Sequence, residues 1–358
     1  MNQAPVFAKG RDLDAAAAAL RPWLADRLGT ADVQVSGMVY PQGAGVSNET
    51  ILFEARAGGR TEEFVLRVSP APEHQMFLDP RFKMQYDILT ALRRLGTVRV
   101  PEALWYEDDA AVLGRPFYLM RRMRGRVPVS MPVYNSSGWL VEATPAQRRI
   151  FWESAVEQLA AIHRVPVADV AFIDRPEHGA AGDGQQLAYW SSFAGWALED
   201  DIPDTVLTLF DWLHAHRPAR STPGLSWGDA RVGNMMVGDD FRIVGVMDWE
   251  QANLGGPVAD LGWWLFFDHI HSAAQDVPRL DGLGGRQETI DLWQDLTGRH
   301  IENLSDNLHW QEVFAALKAG LLALHTRRSM QLPVAGRPNP FLQRACQMLG
   351  FGVPADLS

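Results

Sequence analysis

Residues 49–68 place the tightest constraint on the fold. In ETILFEARA (49–57) Ile51, Phe53 and Ala55 alternate with Leu52 and Glu54, and in TEEFVLRV (61–68) Phe64, Leu66 and Val68 alternate with Val65 and Arg67. A period of two sends each set to one face of a strand. Gly58-Gly59 between them supplies a tight turn, so the segment predicts an antiparallel hairpin. Strands over Val33–Val39, Ala103–Glu107 and Pro116–Met123 extend it, with helices over 12–28 and 80–95. Beyond that the texture turns helical: Thr144–Arg164, Gln186–Glu199, Thr205–His216, Arg286–Thr297 and Gln311–Met330 carry helical spacing, and 225–262 reads as a short β-rich insert. A small antiparallel sheet with one helix, followed by a larger helical lobe, is an α+β arrangement. The change falls near residues 124–127. The expected organisation is a helical extension (1–30), a small lobe (31–123) and a large lobe (124–358).

Composition removes several classes of function. The 358 residues suffice for two lobes, and 47% hydrophobic against 21% charged residues is the balance of a folded chain rather than a disordered one. A net charge of −10 argues against a general nucleic-acid binder, though it leaves room for a local basic pocket. No stretch approaches the roughly 18 uninterrupted apolar residues of a membrane span. Arg11, Asp12 and Asp14 interrupt the start where a signal peptide would be apolar, and Cys346 has no second cysteine to pair with. The expectation is an acidic cytoplasmic protein with no nucleic-acid or membrane partner.

The chemistry concentrates in LSWGDARVGNMMVGDDFRIVGVMDWEQANLGGPVADLGWW (225–264). Asn234 follows Asp229 by five residues and opens a strand-like run, 235–237; the turn VGDD and a second run, 243–247, then lead back to Asp248. Two carboxylates and an amide oxygen gathered on short turns form a hard-oxygen environment that suits Mg²⁺. Phosphoryl transfer asks for such a set: one carboxylate to orient the attacking hydroxyl, an Asn and an Asp for the metals on the phosphates.

The D-x-x-x-x-N spacing with a downstream Asp resembles the catalytic segment of protein kinases. The words GDARVGN and VMDWEQANLGGPVADLGWW are closer to the aminoglycoside phosphotransferase and choline kinase superfamily, above all to the kinase-like domains fused to some acyl-CoA dehydrogenases. The likeness runs from about residue 35 to 330. It implies a protein kinase-like fold of two lobes with an active-site cleft between them. It also implies Mg²⁺-dependent transfer of the γ-phosphate of ATP, or GTP, to a hydroxyl of a small molecule.

Roles follow by position. Asp229 matches the catalytic base, and Asn234 and Asp248 the metal ligands. QGAGVSNET (42–50) resembles the small-lobe glycine loop, where Gly43 and Gly45 admit phosphates to backbone amides and Ser47 and Asn48 add donors. Arg67 stands where the family's phosphate-binding Lys is usual, and Gln85 where its Glu partner is, with an amide oxygen able to accept from Arg67. FYLMRRMRG (117–125) resembles the adenine-holding hinge, through backbone groups of Arg121 and Met123. Trp227 replaces the usual His before Gly-Asp. These three departures also fit a nucleotide-binding pseudokinase, and an AMP-transferring enzyme uses a related fold. Asp260 matches a position that braces the catalytic loop, and His163 is expected to be a packed core residue. Helical spacing sets the pairs His214/His216 and His269/His271 aside as metal sites. For the acceptor two features pull apart: Glu199, Asp200, Asp201 and Asp204 would suit a cationic aminosugar or simply be a solvated helix end, whereas Tyr189, Trp190, Phe193 and Trp196 would suit an apolar body or simply be core.

Overall fold

The computed structural model describes residues 10–41, 47–219, 222–301, 303–332 and 337–352. The chain divides into two compact units, one formed by the chain up to Thr90 together with Pro101–Met123, the other by Ala91–Val100 and everything from Arg124 onward.

The first unit is a five-stranded sheet made of β1 (Val33–Val39), β2 (Glu49–Ala57), β3 (Arg60–Val68), β4 (Ala103–Glu107) and β5 (Phe117–Arg121), in the order β1-β2-β3-β5-β4 and antiparallel throughout. The β2–β3 hairpin turns at Gly58-Gly59, both at positive φ (55° and 78°), which glycine alone adopts without strain. Its register pairs Ile51 with Leu66 and Phe53 with Phe64. That row is buried under Ala16, Leu20, Trp23 and Leu24 of α1 (Leu13–Leu28). Asp12 caps α1 by accepting from the Ala15 N–H, and Gly29 at φ 64° ends it. The opposite face pairs Thr50 with Arg67 and Arg67 with Tyr118. There Tyr118 packs against Phe82 and Tyr86 of α2 (Phe82–Leu95). A short α3 (Ala110–Leu113) bridges β4 and β5.

The second unit is mainly helical: α4 (Trp139–Glu142), α5 (Pro145–His163), α6 (Asp183–Leu198), α7 (Asp204–Ala215), α8 (Pro257–Ile270), α9 (Arg286–Thr297), α10 (Leu304–Ser329) and α11 (Pro340–Met348). One hairpin, β6 (Met235–Val237) with β7 (Ile243–Val246), sits among them. Thr144 and Gln147 form a capping box that starts α5.

Periodicity does not reveal α8, which falls partly in the stretch expected to be β-rich. Ala259 through Phe266 are all buried, so the helix shows no polar face and hence no 3.6-residue signal. Its signature is the start, Gly256 at φ 96° followed by Pro257 in the first turn. Helix α10 likewise begins at Leu304, two turns before the apolar spacing does, because its opening residues SDN are polar.

Candidate active site

Within the second unit, Met235 pairs with Val246 and Met236 with Gly245, and the Met247 N–H donates to the Asn234 carbonyl at 2.9 Å. This register carries Asp248 back beside Asn234. Asp248 sits at φ 61°, a left-handed conformation that costs most non-glycine residues about 1 kcal/mol or more and that Asp tolerates better. Strain held at one position points to a function there.

The Asp229 carboxylate receives three donors. Arg231 Nε lies 3.0 Å and 3.1 Å from its two oxygens, Asn234 Nδ2 is 2.7 Å from Oδ2, and the Trp263 indole N–H is 2.9 Å from Oδ1. Asn234 therefore commits its amide nitrogen to Asp229, so its oxygen is the atom that could face a metal. Arg231 also donates to the Ser130 hydroxyl at 3.0 Å. The Asp229 charge beside it pushes the Arg231 guanidinium's pKa up.

A second carboxylate holds this loop in shape. Asp260, 1% exposed, accepts from the Ser226 hydroxyl (2.6 Å), the Trp227 N–H (2.6 Å) and the Gly228 N–H (2.8 Å). It also lies 3.1 Å from His163 Nε2. The Trp293 indole, which can only donate, reaches His163 Nδ1 at 2.8 Å. His163 is thus a neutral ring with its proton on Nε2, donating to Asp260. Gly228 stands at φ 93°, where a Cβ would lie 2.3 Å from the Gln251 carbonyl oxygen, so nothing larger fits. Trp227 is fully buried, and its indole N–H reaches the carbonyls of Met247 (2.8 Å) and Asp248 (3.2 Å). The indole ties the loop of Asp229 to the turn of Asp248.

Neither Arg231 nor Trp263 was given a role at the site from sequence. Trp263 had a signal, since it lies three residues after Asp260 on one helix and so shares its face; Arg231 had only its place two residues after Asp229.

Among the described residues no group of three or more His, Cys, Asp or Glu could hold a metal ion. The donors here are of another kind, one carboxylate (Asp248) and one amide oxygen (Asn234). Mg²⁺ takes few protein oxygens and fills its shell with phosphate oxygens and water, so these two residues fit it.

In the first unit, Gly43 and Gly45 lie outside the described residues. Ser47 and Asn48 are buried, and Asn48 Nδ2 donates to Gln85 Oε1 at 3.2 Å. Arg67 Nη1 donates to the Thr50 hydroxyl at 3.0 Å, its partner across the β2–β3 ladder. At the end of β5 the Arg121 N–H donates to the Glu102 carbonyl and that of Arg122 to the Glu63 carbonyl. The sheet consumes both amides. Glu49 ties down Arg11, just before α1, and also accepts from Arg115 and the Tyr40 hydroxyl.

Beside Arg231 lies a small aromatic recess lined by Tyr134, Trp264, Phe267 and His271. Burial, then the nearby Arg231 charge, pulls the His271 pKa down to about 4. Above pH 6.5 neither folded nor unfolded chain protonates this ring. As pH falls from 6.5 toward 4 only the unfolded state gains the proton, which costs about 3 kcal/mol of stability. His271→Phe keeps the ring packing, and its melting temperature should fall less than wild type's between pH 6.5 and 4.5. Parallel curves would show that His271 does not carry this loss.

The model of the phosphotransferase enzyme family matches residues 41–299, which include every candidate named above. The chain belongs to that family. Human acyl-CoA dehydrogenase family member 11 is 29% identical over 231 residues, 63% of this chain and 27% of that protein. Chicken acyl-CoA dehydrogenase family member 11 is 30% identical over 226 residues, 62% of this chain and 26% of its own. The chain thus spans about a quarter of the curated relatives it matches. Among solved structures, a provisionally assigned aminoglycoside phosphotransferase from Ralstonia eutropha superposes with a TM-score of 0.67 at 24% identity, covering 92% of this chain and 95% of that one. The ternary complex of aminoglycoside phosphotransferase APH(4)-Ia with ADP and hygromycin B gives 0.55 at 15% identity, over 94% and 99%. These likenesses show the kinase-like fold, a small antiparallel sheet unit and a mainly helical unit. Among the described residues no helix is long and apolar enough to cross a membrane.

Proposed function

We propose that this member of the family is an O-phosphotransferase that moves the γ-phosphate of ATP, or GTP, to a hydroxyl of a small molecule. The observation that carries the proposal is the hydrogen-bonded unit in which Asn234 joins Asp229 at 2.7 Å while its backbone holds the strand leading to Asp248. Asn234 Oδ1 and the Asp248 carboxylate would hold Mg²⁺, which when bound neutralises charge on the phosphates. Asp229, aimed by Trp263 and Arg231, accepts the hydroxyl proton late in the transfer. Arg231 Nε is shared between both Asp229 oxygens, so it is the donor an incoming hydroxyl displaces. Arg67 and the loop of Ser47 and Asn48 act on the phosphate tail, with Gln85 behind Asn48 and backbone groups of Arg121 and Met123 at the purine. Such a site works by positioning and fixed charge.

The acceptor is better matched by a neutral or anionic molecule than by an aminosugar. Arg328 takes up Glu199 and lies 3.6 Å from Asp201 at a solvated helix end, which spends part of the acidic run. Tyr189, Trp190 and Phe193 are buried, which places them in the core. Arg231, by contrast, puts a cation directly against the base.

A screen of hydroxyl compounds for Mg²⁺-dependent ADP release tests the proposal. Release with a phosphorylated product supports it. Tight Mg²⁺-nucleotide binding without turnover across the screen would favour a sensor, and a product heavier by AMP would make the protein a nucleotidyl transferase.

A further inference from the structure

Lys318, in the middle of α10, is 7% exposed. Lysine is seldom buried this far without a carboxylate against it. Here its ammonium lies over two rings, 4.6 Å from the centroid of Trp263 and 5.1 Å from that of Phe314. Asp260, Asp229 and Asp183 attract it from a longer range, while burial pulls its pKa down to about 8. A methionine would fill similar space with no charge to desolvate, so the chain carries a costly cation at this position.

The ring beneath that cation is the one whose N–H lies 2.9 Å from Asp229 Oδ1. A cation on an indole face draws on the ring's electrons and makes the N–H a stronger donor. It also fixes the ring plane, which Phe267 helps to hold with centroids 4.9 Å apart. We propose that Lys318 is a positioning residue: seated over Trp263, it holds and polarises the indole N–H that aims Asp229. The inference rests on the reading of Asp229 as the base.

The test uses the full chain, with Mg²⁺-dependent ATP hydrolysis in the absence of acceptor as the rate and the indole proton shift of Trp263 as a measure that needs no turnover. The Trp263 resonance is assigned by its loss in Trp263→Phe. In Lys318→Met the melting temperature at pH 7 should hold or rise, because a desolvated charge is gone. The kcat should fall about tenfold with KM for ATP within about twofold of wild type, and the indole proton should move upfield. Lys318→Met added to Trp263→Phe should cost nothing further, since the path is already cut. A lower melting temperature with unchanged kcat, or full additivity of the two substitutions, would overturn the proposal and leave Lys318 a packing residue. The phosphotransferase reading stands or falls separately, on the acceptor screen; should the wild type hydrolyse no ATP without acceptor, the indole shift decides whether Lys318 polarises Trp263, and an unmoved resonance rejects it.

Discussion

Replacing Asp229 by Asn lowers kcat for phosphoryl transfer by about 10²- to 10⁴-fold, the usual worth of a positioned base. Affinity for ADP stays within about twofold of wild type. The asymmetry follows from the contacts: every recorded partner of the Asp229 carboxylate (Arg231, Asn234 and Trp263) is a protein donor that orients it toward an acceptor. Asn keeps one accepting oxygen but turns an amide nitrogen toward one of those three donors, so charge and aim are lost together. Isothermal titration with ADP and steady-state kinetics separate the two effects. A parallel loss of nucleotide affinity would mean that Asp229 serves the nucleotide and not the acceptor.

Asp260→Ala should be the most destabilising change near the site, at about 4 kcal/mol or more. It strands four buried donors at once: the Ser226 hydroxyl, the N–H groups of Trp227 and Gly228, and His163 Nε2. Ser226, Trp227 and His163 are all buried in the folded protein. A loss of that size is a large fraction of the roughly 5–15 kcal/mol that holds a domain together, so urea midpoints should drop steeply. Asp260→Asn keeps one acceptor oxygen and should lose less. If the alanine variant unfolds at the wild-type midpoint, the brace is not what shapes the loop of Asp229.

The hairpin at Gly58-Gly59 was legible because burial on one face of β2 and β3 writes a period of two into the sequence, and Ile51, Phe53, Leu66 and Val68 obey it. Helix α8 was not, because a helix buried all round leaves no period to detect. In the site, residue types and spacing pointed to Asp229, Asn234 and Asp248, since short turns bring near neighbours together. Residues that arrive from distant elements leave no such trace. Nothing local in KAGLL (318–322) announces that Lys318 lies over Trp263, or that His163 meets Asp260 across 97 positions. Trp227 looked like a defect in the pattern. In the structure its indole links the turns of Asp229 and Asp248, work that a residue-type comparison cannot display.

Mn²⁺ titrated into the protein with ADP, followed by the loss of its free EPR signal, measures whether Asn234 and Asp248 hold a divalent ion on a nucleotide. Wild type should take up Mn²⁺ only when ADP is present and beyond what ADP alone sequesters, and Asp248→Ala should lose that excess while remaining folded. Equal uptake by the two proteins, or none by wild type, would contradict a metal-nucleotide site built on these side chains.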